Sequence, residues 1–434
     1  MKNLMLAVLG LVFLGTAQAE TTAIIGATVH TVGPAGTIEN ATIIISDQRI
    51  ASVGENVAAP VGATIIDASG KVVTPGLFTP FGNLGLVEVG FSAGPDDSAQ
   101  RGDRFTASFD VADAYNRRST LIGINRIEGV TRALIAPSPT RPDDFGVTSH
   151  VISGLAAVVN LGDGPDSVDR RAAALVVNLG EAGVDYAGGS RAAVILTLRQ
   201  ALDEARDYRD HADAHESGQH SDYTYSVSDL DALQGVLSRN VPLLALVDRA
   251  ADIEVLISLS REYGIRTIIG GGVEAWMLAD EIAAANIPVI LAPTANLPSD
   301  FDRVNASLKS APILAEAGVT IAFADGQSQT HNARNITQSA GNATAEGLSW
   351  DAALRAITLS PAEMFGVAQR VGSIEPGKDA DIVIWPGDPL ELSNYPEQVF
   401  IKGESIDMVS RQTLLRDRYL DTDDKRPPAY RKSR

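Results

Sequence analysis

The sequence predicts an α/β chain: a (β/α)8 barrel carrying a small β domain built from both chain ends. Three observations predict it. Apolar runs of strand length alternate with Ala- and Leu-rich helical segments through the middle of the chain. Short strands separated by turn residues occupy both ends. The chain has 434 residues, 45% of them apolar and only 5% aromatic, so small aliphatics must fill the core. That composition suits helices packed on parallel strands that are buried on both faces.

The elements follow in order. Residues 1–19 have a positive start at Lys2, an apolar run from Leu4 to Leu14, and small residues at Ala17 and Ala19. This is the pattern of a secretory signal peptide, with the mature chain expected in the periplasm. The run is far short of the roughly 20 residues that span a bilayer, so no membrane role is expected. From residue 20 to 73, AIIGATVHTV, ATIIISDQRIASVG and TIIDASGKVV read as strands joined by turns such as Gly33-Pro34. From residue 74 to 369, strands such as TRALIAP, VPLLALVD, IRTIIGGG, IPVILAP and VTIAFAD alternate with helical stretches. SRAAVILTLRQALDEARDYRDHADAH reads as one long helix, and LSWDAALRAITLSPAEMFGV as another with Pro361 near a turn. This region has the length of a TIM-like barrel. Over residues 370–411, DIVIW and QVFIKGESI read as strands returning to the first module, so the two ends form one composite β-sandwich domain. Residues 412–434 form a charged tail.

Net charge is −19, and loss of the signal, which carries Lys2 and no acid, makes the mature chain one unit more negative. An acidic surface repels phosphate backbones and excludes nucleic acid as a partner class. There is no cysteine, so no disulfide, thiol nucleophile or lipidated cysteine is available. No Gly-x-Ser-x-Gly elbow is present either.

GKVVTPGL (Gly70 to Leu77), the Gly129-Val130-Thr131 step, VEAWMLADEIAAANIPVIL (Val273 to Leu291), LSPAEMFGV and VGSIEPGKDADIVIWPGDPL (Val371 to Leu390) together resemble the amidohydrolase superfamily, near its imidazolonepropionase-like branch. The resemblance spans nearly the whole mature chain. It implies a metal-dependent hydrolase of non-peptide carbon–nitrogen bonds in small amides or cyclic amides. It also implies a zinc centre held by histidines at the C-terminal ends of the strands, where bound water loses a proton near pH 7. Here the paired-histidine positions fall on Phe81 and Asn83, the next on Leu246 to Asp248, and another near Gly271. Only the last carboxylate is matched, by Asp325. The expectation is a lost zinc site, with no metal ligand or cofactor assigned.

Asp325 and His331 are the expected catalytic residues, and Asn83, Asp248, Gly271 and Arg334 the expected binding residues for a small molecule. Loop-stabilising roles for His331 and the asparagines stay open. His211 and His215 stand four apart on one helix face, a usable metal pair or a solvated polar stretch. Three functions remain: a hydrolase of weak or altered activity with a reduced metal site, an inactive barrel that binds a ligand or scaffolds a related, active barrel subunit, and chemistry run without metal through His331 and Asp325.

Overall fold

The computed structural model describes residues 21–88, 96–100, 105–138, 150–324 and 330–420. Residues 1–19, which carry the expected signal peptide, and Asp325 lie outside them. The first five strands are β1 (Thr22–His30), β2 (Thr37–Ser46), β3 (Arg49–Gly54), β4 (Thr64–Asp67) and β5 (Val72–Pro75). The next eight are β6 (Leu77–Gly82), β7 (Val130–Ile135), β8 (Ile152–Asn160), β9 (Val168–Asn178), β10 (Leu243–Val247), β11 (Thr267–Gly271), β12 (Val289–Leu291) and β13 (Ile321–Phe323). The last are β14 (Ile382–Trp385), β15 (Gln398–Ile401) and β16 (Glu404–Ser405). The helices used below are α1 (Thr120–Arg126), α2 (Glu181–Tyr186), α3 (Arg191–Glu216), α4 (Val227–Leu237), α5 (Ala250–Tyr263), α6 (Leu359–Met364) and α7 (Arg411–Leu420).

Strands β6 to β13 are neighbours in sequence order and curl into the barrel, whereas the other sheet runs β16-β15-β14-β5-β1-β2-β3, with β4 on β1. The composite domain is thus one sheet in which β14, from the C-terminal side, pairs antiparallel with β5. The barrel has one reversed strand: β8 pairs antiparallel with both β7 and β9. Residues 161–167 are all that separate β8 from β9, too few for the crossover that parallel strands need.

Side chains alternate across the barrel wall. Leu244 of β10 points into the interior with Phe78, Val176, Ile268 and Ile290. Its neighbours Leu243 and Ala245 face outward into the layer that packs on the helices. The stretch expected as one helix over residues 348–367 is two, broken at Thr358 (φ −136°, ψ −82°). Pro361 has no N–H to offer Ile357, whose carbonyl instead accepts from Phe78 N–H of β6 at 2.8 Å. That bond ties the first barrel strand to the chain beyond the last.

At the end where strands enter the barrel, Arg132 of β7 is 1% exposed among Asp169, Asp379 and Asp381. Its Nε lies 2.9 Å from Asp169 and its Nη1 2.9 Å from Asp381. Neither N–H points along the line to its carboxylate oxygen, so Arg132 Nε and Asp381 Oδ2 make no directed hydrogen bond, and charge rather than direction holds them. Lys402 and Arg370 complete the set, 3.1 Å from Asp169 and 2.8 Å from Asp379. Because Asp379 and Asp381 precede β14, this cluster clamps the composite sheet to the barrel.

Candidate functional site

Parallel barrel strands deliver their last residues to one rim, where loops rather than the sheet decide chemistry. Asn83 follows β6, Asn178 ends β9, Asp248 follows β10 and Gly271 ends β11. Asn178, Asp248, Asp300, Asp302 and Arg303 line a cavity of about 280 Å3 at this mouth. A larger cleft of about 560 Å3 opens at the opposite end, lined by residues such as Pro242, Arg266 and Pro288 that precede their strands. We place the site at the smaller one, because the opposite end presents strand entrances.

Asp248 is the centre of the mouth. One carboxylate oxygen accepts from Arg303 Nε at 2.9 Å and the other from Val273 N–H at 3.3 Å. Burial pushes its carboxyl above the ordinary range, and Arg303 pulls it back only in part. Gly271 makes this placement possible. Its φ is +94°, and a Cβ there would fall 2.4 Å from Asp248 Oδ1. Of the expected residues, Asp248 and Gly271 are therefore brought into direct contact.

Asn83, His331 and Arg334 do not line that cavity, and Asp325 lies outside the described residues. Asn83 is buried, and its amide nitrogen donates to Ala136 O at 2.8 Å and Ser138 Oγ at 3.0 Å, binding the exit of β6 to that of β7. His331 is exposed, in a 3-10 helix at Thr330–Asn335. Arg334 donates its backbone N–H to Asn125 of α1 and its guanidinium to Gln412 of α7, both at 2.8 Å. Glu274 accepts from the N–H of Ala250, the first residue of α5, at 3.0 Å and from Asn305, so it holds two parts of the rim together.

Sequence reasoning missed the loop after β12. Asp302 is 3% exposed, accepts Glu181 N–H of α2 at 2.6 Å and is bridged by Arg191 at the start of α3. Arg191 also reaches Asp252 of α5 at 3.1 Å, whose carboxyl burial raises. Asp300 lies 3.4 Å from Arg303. The signal was Ser299-Asp-Phe-Asp-Arg303, a charged run just past a barrel strand. His150 was also missed as a rim residue: because β8 is reversed, the residues before it stand at the mouth end.

A zinc centre of the kind the resemblance implies needs imidazoles. Among the described residues, no histidine lines the mouth cavity. Phe81 offers no donor atom, and both Asp248 oxygens already accept from protein N–H groups. Among the described residues, the donors that line this cavity do not fit that centre.

Three comparisons bear on ancestry. The model of the amidohydrolase family matches residues 183–409. Amidohydrolase tasK of Hapsidospora irregularis is 25% identical over 372 residues, covering 79% of this chain and 37% of that protein. Imidazolonepropionase of Erwinia tasmaniensis is 42% identical over 64 residues, 13% of this chain and 16% of that one. The chain thus spans well under two thirds of either relative. A crystal structure of an amidohydrolase from Thermotoga maritima MSB8 superposes with a TM-score of 0.79 at 24% identity, over 89% of this chain and 99% of that one, a likeness of fold.

Proposed function

The chain belongs to the amidohydrolase family, and on that premise we propose that it hydrolyses a carbon–nitrogen bond, other than a peptide bond, in a small amide or cyclic amide seated in the mouth cavity. One observation supports this above the rest: a half-buried carboxylate with raised proton affinity, Asp248, lines that cavity beside a guanidinium. In this reading Asp248 takes a proton from water as the water oxygen adds to the amide carbon. It returns the proton to nitrogen as the C–N bond breaks, giving acid and amine. Arg303 offsets the charge gained by the carbonyl oxygen. Asp325, two positions beyond β13, is the second carboxylate of the reading, with His331 after it in sequence.

The metal centre is degenerate in this reading, and turnover is correspondingly slow. A general base contributes about 10²- to 10⁴-fold, less than a metal-bound hydroxide adds to it. The absence of imidazoles from the described cavity lining also favours a second reading, an inactive barrel that binds a small ligand or supports a related subunit. Export to the periplasm, on the strength of residues 1–19, belongs to both and is checked by cell fractionation.

A panel of lactams, cyclic imides and small anilides, followed by amine release, separates the two. The hydrolase reading expects slow turnover that falls at least about 100-fold in Asp248→Asn. Turnover that survives in Asp248→Asn and dies in Asp325→Asn moves the base to the eighth strand. No turnover, with thermal stabilisation by a panel member that Arg303→Met abolishes, establishes the binding protein instead.

A further inference from the structure

Helix α3 leaves the mouth at Arg191 and breaks at His211 (φ −130°, ψ 19°), 20 residues on and so roughly 30 Å away along its axis. The break turns His211 toward the segment that returns from α3 to α4. There Asp207 Oδ1 lies 3.1 Å from His211 Nδ1, and Asp207 Oδ2 lies 3.1 Å from His220 Nε2. The two imidazoles stack at 5.4 Å between centroids, and one ligand atom from each of Asp207, His211 and His220 falls within 4.8 Å of the others. Tyr223 donates its hydroxyl to Asp207 at 2.8 Å and stacks on His220, fixing both from behind. The helical spacing pairs His211 with His215, but the kink sends His215 toward Tyr208 and Tyr223 instead.

We propose that Asp207, His211 and His220 form a site for a divalent transition-metal ion of the Zn2+, Ni2+ or Cu2+ class, remote from the mouth. Two imidazole nitrogens and one carboxylate oxygen select these ions over Mg2+ and Ca2+, which want oxygen ligands. An ion bound through His211 Nδ1 displaces the proton which that atom donates to the Asp207 carbonyl oxygen at 3.0 Å, whereas His220 Nδ1 donates to Ser221 O at 3.0 Å and leaves its Nε2 lone pair toward Asp207. The Tyr223 hydroxyl then serves as the outer hydrogen bond that orients the ligating carboxylate. Three protein ligands leave coordination positions for water. The ion ties the far half of α3 to residues 217–225 across the kink, so it acts as a staple on a polar, acidic stretch. Its affinity falls with acidification, because the rings must be neutral to bind.

The full chain, stripped with chelator and then titrated with Zn2+ at pH 7.5 by calorimetry, tests this. One equivalent is expected in the wild type. It should weaken at least about tenfold in His211→Gln/His220→Gln and persist in Asp248→Asn, which separates it from any ion at the mouth. Co2+ should give a visible absorption band with the wild type that the double variant lacks, and Zn2+ should raise Tm only where the histidines are intact. His211 is exposed and His220 half-buried, and far-UV circular dichroism confirms folding of the variant. Equal Zn2+ stoichiometry and affinity in wild type and double variant, or no binding by the wild type, overturns the proposal.

Discussion

The two ends of the barrel both bury carboxylates beside arginine, yet they are built for different purposes. At the entry end, Asp169, Asp379 and Asp381 meet Arg132, Arg370 and Lys402, three acids against three cations. At the mouth, Asp248, Asp300, Asp302 and Glu181 face Arg303 and Arg191, an excess of acid. Cavity size does not tell the ends apart, since a cavity of about 290 Å3 adjoins the entry cluster too. A displaced pKa does not either: burial pushes Asp381 up to about 6, although it sits in the clamp. What separates them is charge balance and the direction of the strands. A balanced cluster at the strand entrances fixes one domain on another. An unbalanced one at the strand exits leaves a carboxylate among the loops that decide chemistry.

The comparison breaks most directly at Arg132. Arg132→Met leaves three buried acids short of a cation and should cost about 3–5 kcal/mol in urea unfolding. A loss below about 1 kcal/mol would mean that the entry cluster is no clamp. Next comes pH. Because the folded Asp381 carboxyl titrates near 6 against an ordinary 3.8, the folded chain holds that proton more tightly than the unfolded one. Its contribution to stability is therefore greatest at low pH and is lost as pH rises from about 4 to about 6, a change of about 3 kcal/mol. Asp381→Asn should remove that segment from the stability–pH curve.

At the mouth, Gly271→Ala forces a Cβ onto Asp248 at positive φ and should cost about 1–3 kcal/mol. Gly264→Ala is the control. That residue also has positive φ, at the end of α5, but a Cβ there meets nothing within 4 Å, so it should cost about 1–2 kcal/mol from backbone strain alone. Equal effects at the two glycines would remove the contact from the account. The smallest expected change in stability is Asp248→Asn, within about 1 kcal/mol of wild type, because relief from burying a charge offsets the weakened bond to Arg303. Together with the loss of turnover above, that outcome would mark the mouth as chemistry and the entry cluster as architecture.

Particular residues show how much was legible in advance. Gly70 to Leu77 and Asp381 to Trp385 disclosed a sheet shared by both chain ends, and β14 does pair with β5. Asp248 and Gly271 were expected from the resemblance, where positions of its metal ligands fall, and the structure sets them side by side. Asn83 was identified by position, but the sequence did not indicate that its amide spans two strand exits. Asp302 escaped notice because its partners, Glu181 and Arg191, lie more than a hundred residues away. The reversal of β8 was written in its short connection to β9, overlooked because a repeating β-α rhythm invites parallel strands.

By itself the sequence determined the order of strands and helices, the barrel and its shared sheet, and the absence of thiol chemistry. These follow from periodicity, turn residues and composition, which act over a few neighbours along the chain. Only the tertiary structure decided that Arg132 would meet three acids from distant segments, that Arg334 would turn to α7, and that a kinked helix would bring His211 to His220 rather than to His215. Such pairings depend on how the barrel closes and where a helix bends, so they exist only once every element has packed against the others.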